Sequence, residues 1–110
     1  MKVYSVKITR QARDQLFSIR SYITNELAAP KAASNIIAIL KREIKSLSQM
    51  PERIKLTDEE PWRSEGIRVM CVKNYYIYFW IDEEDRKVQI TAVIYAARDQ
   101  TAQLESIEKE

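Results

Sequence analysis

The chain has 110 residues, 45% of them hydrophobic and 31% charged, which suits one domain, 1–110, with one core. It contains no histidine, which excludes serine–histidine triads and the commonest zinc sites and leaves any acid–base chemistry to Lys, Arg, Tyr or carboxylates. The net charge of +2 hides an asymmetry: residues 1–57 hold eleven Lys/Arg against four Asp/Glu, and residues 58–110 hold seven against twelve.

A basic half favours an anionic partner, although solvated helix faces give the same imbalance. The single cysteine, Cys71, allows no internal disulfide and, in the apolar stretch IRVMCVK, is expected to behave as a small buried hydrophobe. No apolar run is long enough to span a bilayer, and MKVYSVKITR has no secretory h-region. The expectation is a soluble cytoplasmic chain without membrane contact.

Residues 3–8, VYSVKI, alternate and are β-rich, so they predict a first strand, with Thr9 as N-cap of the helix that follows. Ala12, Leu16, Ile19, Ile23 and Leu27 recur at spacings of three and four, an amphipathic helix whose Arg10, Arg13 and Arg20 fall off the apolar stripe. Pro30 suits the first turn of a second helix. Its stripe runs Ala33, Ile36, Ile37, Leu40, Ile44 and Leu47 until Pro51 disfavours helical geometry at Met50.

Residues 51–65, PERIKLTDEEPWRSE, have no clean period and carry two prolines, which predicts a loop pinned to the body by Trp62. Three strands follow in an antiparallel meander: Ile67–Val72, NYYIYFWID after a Lys73-Asn74 turn, and Val88–Tyr95 after the acidic turn at 82–85. Leu104 and Ile107 predict a possible short C-terminal helix. The order β-α-α-β-β-β is an α+β fold, a helical hairpin packed on one face of a small, mainly antiparallel sheet.

Side chains alternate across a strand, so NYYIYFWID is apolar on both sides. Assigned by apolarity, Ile67, Val69, Cys71, Tyr75, Ile77, Phe79, Ile81, Val88, Ile90, Ala92 and Ile94 face the helices. The opposite face then collects Arg68, Met70, Val72, Tyr76, Tyr78, Trp80, Gln89, Thr91, Val93 and Tyr95, with Arg98 at its basic edge. An uncovered aromatic face of this kind marks a partner surface, here Met70, Tyr76, Tyr78, Trp80, Tyr95 and Arg98. The alternative is that the 51–65 loop and the C-terminal tail fold over it.

The carboxylates at 58–60 and 82–85 lie in turns and lack calcium-loop spacing, so no metal site and no cofactor are expected. Tyr95 and Arg98 with Arg68 could stabilise a phosphate and move a proton, a common combination on any surface.

ITRQARDQLFSIRSYI, the P-x-A-A before the second helix, SLSQMPER after it, GIRVMCVKNYYIYFWID and VQITAVIYAARD together resemble the RelE/ParE superfamily of type II toxin–antitoxin toxins, over about residues 3–100. The most specific piece is the last strand running into Ile94-Tyr95-Ala96-Ala97-Arg98-Asp99. The resemblance implies a cognate antitoxin that wraps the toxin with an extended segment in a hetero-oligomeric complex.

Two mechanisms follow from the two branches. RelE-like members cut mRNA on the ribosome with clustered Lys, Arg and Tyr, and the corresponding catalytic set here is Arg68, Lys73, Tyr95 and Arg98. Where those toxins commonly carry an arginine early in the strand after the hairpin turn, this chain has Tyr76. ParE-like members poison DNA gyrase without catalytic residues of their own, and the long hairpin of residues 10–49 resembles that branch. A third reading keeps the fold as a non-toxic binding module.

Overall fold

A computed structural model describes residues 3–97 and 104–105. Strand β1 (Ser5–Ile8) leads through Thr9 into α1 (Arg10–Ser21), and the Thr9 hydroxyl accepts from the Ala12 N–H at 3.2 Å, capping the first turn. Ala12 and Leu16 are buried and Ile19 packs beside them, as the spacing predicts.

The regular helix stops sooner than its apolar stripe. Residues Tyr22–Glu26 form a π-helical turn in which the Leu27 N–H donates to the Tyr22 carbonyl. That i→i+5 step rotates Leu27 off the stripe, leaving it 56% exposed where burial was expected. Ala28 then takes a left-handed φ of 49°, and α2 (Pro30–Lys45) starts on its proline. Ala33, Ile37, Leu40 and Ile44 are buried along it, and Leu47 just beyond its end. A short 3-10 turn, Ser46–Ser48, ends the run before left-handed Met50 and the 3-10 turn Pro51–Arg53.

Three further strands, β2 (Arg68–Val72), β3 (Tyr75–Asp82) and β4 (Lys87–Tyr95), complete a sheet ordered β1-β4-β3-β2. β1 pairs with β4 in parallel and the other two pairings are antiparallel. Both helices pack on one face, where Phe79, Ile77, Val88, Ile90, Leu40 and Leu47 form the centre of the main core. The predicted α+β architecture is the observed one.

Two register details move side chains to the face opposite the expected one. The Lys73-Asn74 turn makes Val72 face Tyr75 and Met70 face Ile77, and directly opposed residues share a face. Met70 and Val72 therefore lie in the helix-side core, while Ile67 and Val69 lie on the second face. Cys71, expected to be buried, is exposed.

In β4, Phe79 pairs with Ile90 and Tyr78 with Ala92, so Thr91 is an extra residue, a β-bulge. Every side chain beyond it changes face. Ala92 and Ile94 join the second face, and Val93 joins the helix-side core.

The second face is covered at its centre. Trp62 and Leu104 pack with Ile67, Tyr78, Ala92 and Ile94, all 9% exposed or less, with Tyr76 and Trp80 half-buried at the margin. The segment carrying Trp62 is tied down by Thr57 N–H to the Ile67 carbonyl (2.9 Å), by Val69 N–H to the Lys55 carbonyl (3.2 Å) and by a bridge between Leu56 and Arg68. The expectation of an open aromatic face is thus corrected: an intramolecular strap supplies the covering layer. Ile107 and Arg98 lie outside the described residues.

Candidate functional site

On the helix side, the end of the sheet that carries the β2–β3 turn is not filled by the helical hairpin. A groove of about 790 Å³ opens there between the last turns of α1, the π-helical turn, the start of α2, the Lys73-Asn74 turn and the end of β4. Its walls are apolar: Ile19, Ile23 and Ile36 from the helices, Val93 and Tyr75 from the sheet. At its margin Tyr22 (57% exposed), Leu27 (56%) and Tyr95 (44%) present large side chains to solvent. A single-domain surface normally scatters such residues; here three of them border one depression.

Local geometry explains why they meet. The Thr91 bulge turns Tyr95 to the helix side, directly opposite Tyr75, and the two rings sit 5.6 Å apart at 57°. The same bulge is held by the Thr91 hydroxyl donating to the Tyr78 carbonyl at 3.2 Å. β1 ends opposite Ile90, so beyond that point β4 has no strand on that side among the described residues. Gln15 of α1 takes over, its side-chain oxygen accepting from the Val93 N–H at 2.8 Å. The π-helical turn, for its part, swings Leu27 to the rim.

Of the catalytic set expected from the sequence, Lys73 and Tyr95 both line this groove. Arg68 does not. It stands at the other end of β2, where its guanidinium donates to the backbone carbonyls of Ile54 and, at 3.4 Å, Glu52. Arg98 is outside the described residues.

Of the six residues expected on one partner face, Tyr76, Tyr78 and Trp80 lie on the second face beneath or beside the strap. Met70 is in the helix-side core, and Tyr95 opens into the groove. Burial pushes the Tyr78 phenol up to about 12, with Tyr76 and Glu59 adding to the effect, so this hydroxyl is no acid–base group near neutrality. The Tyr75 phenol is also raised, first by burial and then by Tyr95.

Sequence reasoning did not find Gln15, Tyr22, Leu27 or Tyr75 as groove residues. The π-helical turn brings Leu27 to the rim and the bulge brings Tyr95 over Tyr75, and neither irregularity leaves a periodic signal. Among the described residues no group of three or more Cys, Asp or Glu could hold a metal ion.

A helical hairpin on an open, mixed four-stranded sheet is the fold that the resemblance to the RelE/ParE superfamily implies, and in this chain an apolar groove opens at the junction of the two. The model of the ParE toxin of the type II toxin–antitoxin system parDE matches residues 6–100, and the chain belongs to that family.

Solved structures agree at the level of the fold. The chromosomal ParDE toxin–antitoxin system of P. aeruginosa is similar with a TM-score of 0.71 at 20% identity, covering 86% of this chain and 98% of that one. The RelBE2 toxin–antitoxin complex of Mycobacterium tuberculosis reaches 0.62 at 24% identity over 89% and 97%. A mutant of the E. coli toxin RelE in the free state reaches 0.63 at 13% identity over 92% of each chain. No curated protein sequence matches the chain.

Proposed function

We propose that this chain is a growth inhibitor neutralised by a cognate antitoxin, and that it acts by binding and poisoning DNA gyrase. The observation that carries the second half is the dispersal of the cations a nuclease needs. Cutting RNA requires positive groups converging on a pentacoordinate phosphate, together with groups that take and give a proton. Among the described residues Lys73 is the single charged side chain lining the groove, and Arg68 is engaged with loop carbonyls at the far end of its strand. A poison that works by binding needs no such convergence. The ParE family of the matching model supports the same branch.

The groove suits an antitoxin. An extended or helical segment that lays apolar anchors between Tyr22, Leu27 and Tyr95 would bury side chains that otherwise face water. Both the P. aeruginosa and the M. tuberculosis structures are of toxin–antitoxin systems, which supports a partner of this kind.

One observation favours the ribosome-dependent nuclease as second reading: Lys73 and Tyr95 share the groove, and Arg98 follows Tyr95 by three residues. Pulse labelling just after induction in bacteria separates the two. An early fall in thymidine incorporation, with plasmid linearised by purified gyrase and this chain, is the expected result. An early fall in leucine incorporation, with mRNA cut only when ribosomes are present, would replace the gyrase reading. A culture that keeps incorporating both would reduce the chain to a binding module.

A further inference from the structure

The solvent face of α2 is composed of one chemistry. At 100° per residue, Lys41, Ser34, Lys45, Ala38, Lys31, Arg42 and Asn35 fall within an arc of about 120°. All seven are exposed. No exposed residue of this helix is acidic. Its one carboxylate, Glu43, is half-buried and among the described residues pairs with its neighbour Arg42, at 3.8 Å on a solvated surface. Lys31, Lys41 and Lys45 have no ion pair among the described residues. The 51–65 segment behaves otherwise, for there Lys55 and Arg63 share Asp58.

The strip continues past the end of the helix. Arg53 is exposed, and its guanidinium is fixed by donating to the carbonyls of Gln49 (2.7 Å) and Met50 (3.1 Å) and to the Ser46 hydroxyl (3.1 Å). From Lys31 to Lys45 the axis runs about 21 Å.

Composition decides what such a face can hold. A protein partner needs apolar or aromatic anchors at the centre of an interface, and a single strand of nucleic acid needs rings to stack on. This arc offers neither, since Ala38 is its one apolar member. It offers cations separated by the short side chains of Ser34, Asn35 and Ala38, which let a backbone come close and supply hydroxyl and amide donors. That set matches the sugar-phosphate backbone of a duplex, which is contacted by Lys, Arg, Ser and Asn without regard to sequence.

We propose that the outer face of α2, with Lys31, Lys41, Arg42 and Lys45 extended by Arg53, binds double-stranded DNA through its phosphates, independently of sequence. This goes beyond the reading of the groove and does not depend on it. An inhibitor held on DNA is concentrated where DNA-bound enzymes work, and the face lies apart from the antitoxin groove described above.

The test is fluorescence anisotropy of a labelled mixed-sequence duplex of about 25 base pairs with the purified full chain, between about 50 and 200 mM salt. Binding is expected, with log K falling against log salt at a slope of about −4, as four or five phosphate contacts at about 0.9 each require. The triple variant Lys31→Gln, Lys41→Gln, Lys45→Gln is expected to lower affinity at least about 10-fold at low salt and to cut the slope by about 2.7. Its melting temperature should stay unchanged, because the three side chains are exposed and unpaired. Arginine at the same three positions should restore binding.

Absence of salt-dependent binding by the natural chain overturns the proposal. So does a triple glutamine variant that binds duplex as well as the natural chain. Tighter binding of polyglutamate than of duplex through the same lysines also overturns it, and assigns the face to an acidic protein. The measurement contains no gyrase, so its failure leaves the target reading untouched.

Discussion

Gln15 takes the place of a strand. β4 outruns β1, and the Val93 N–H beyond the last pairing would point into a region where Val93 itself is 2% exposed. An unpaired amide there loses its hydrogen bond with water and gains nothing. Gln15→Ala should therefore cost about 1–3 kcal/mol, read as a lower denaturant midpoint at constant m value, with faster hydrogen exchange at Val93. Gln15→Glu keeps an acceptor and should recover most of the loss.

Tyr78 is informative for a different reason. Its folded-state value of about 12 lies above the ordinary value of about 10 because burial disfavours the phenolate. Between those two values the unfolded chain gives up its proton first, so stability falls as pH rises through the window. The melting temperature should drop from pH 10 to 12, and Tyr78→Phe should remove much of that drop. A phenylalanine variant with the same alkaline decline would place the responsible group elsewhere, Tyr75 being the next candidate.

Among the elements, the strap over the second face decides how much of this molecule is core. Trp62 and Leu104 are 9% and 1% exposed, and they cover Tyr78 and Ile94 as completely as the helices cover Phe79. Trp62→Ala should then destabilise by about 3–5 kcal/mol, the same range as Phe79→Ala. Trp80→Ala should cost less, because Trp80 is half-buried at the margin, although it also loses the bond from its indole N–H to the Gln89 side-chain oxygen at 3.1 Å. A Trp62→Ala variant that melts like the natural chain would mean that the second face is open in solution.

The same elements show what could be read from the residues alone. The helices and strands follow from spacing, and so does their order, because a buried face repeats every 3.6 or 2 residues. Face assignment failed where period 2 is interrupted or phased by a turn. The Lys73-Asn74 turn alone would have placed Val72 opposite Tyr75 and so corrected β2. The Thr91 bulge left no comparable trace, since VQITAVIY is apolar enough to read either way. The π-helical turn is equally silent. The two irregularities set where Leu27 and Tyr95 lie, so strand alternation singles out Tyr95 but on the wrong face, Lys73 comes through the resemblance, and Tyr22, Leu27 and Gln15 are not legible as groove residues.

Across the whole molecule, the apolar groove, the cation-rich outer face of α2 and the strapped second face are three surfaces with three kinds of chemistry. The residue that best separates the two proposed mechanisms lines the groove. Tyr95 has a ring that packs on Tyr75 and a hydroxyl that the two target readings use differently. A binding poison needs the ring, which fills space and buries apolar area. A nuclease needs the hydroxyl, because only the oxygen can exchange a proton with the 2′-OH or the leaving group.

Tyr95→Phe keeps the ring and removes the oxygen, so under the gyrase reading growth arrest at equal expression should be within about 3-fold of the natural chain. Loss of a general acid–base group typically costs about 100- to 10,000-fold, so the same change should abolish arrest under the nuclease reading. Tyr95→Ala supplies the control, because it removes the ring contact and should weaken both antitoxin affinity and toxicity whichever target is correct. If Tyr95→Phe is inert while it still binds antitoxin as the natural chain does, the hydroxyl is chemical and the gyrase reading fails.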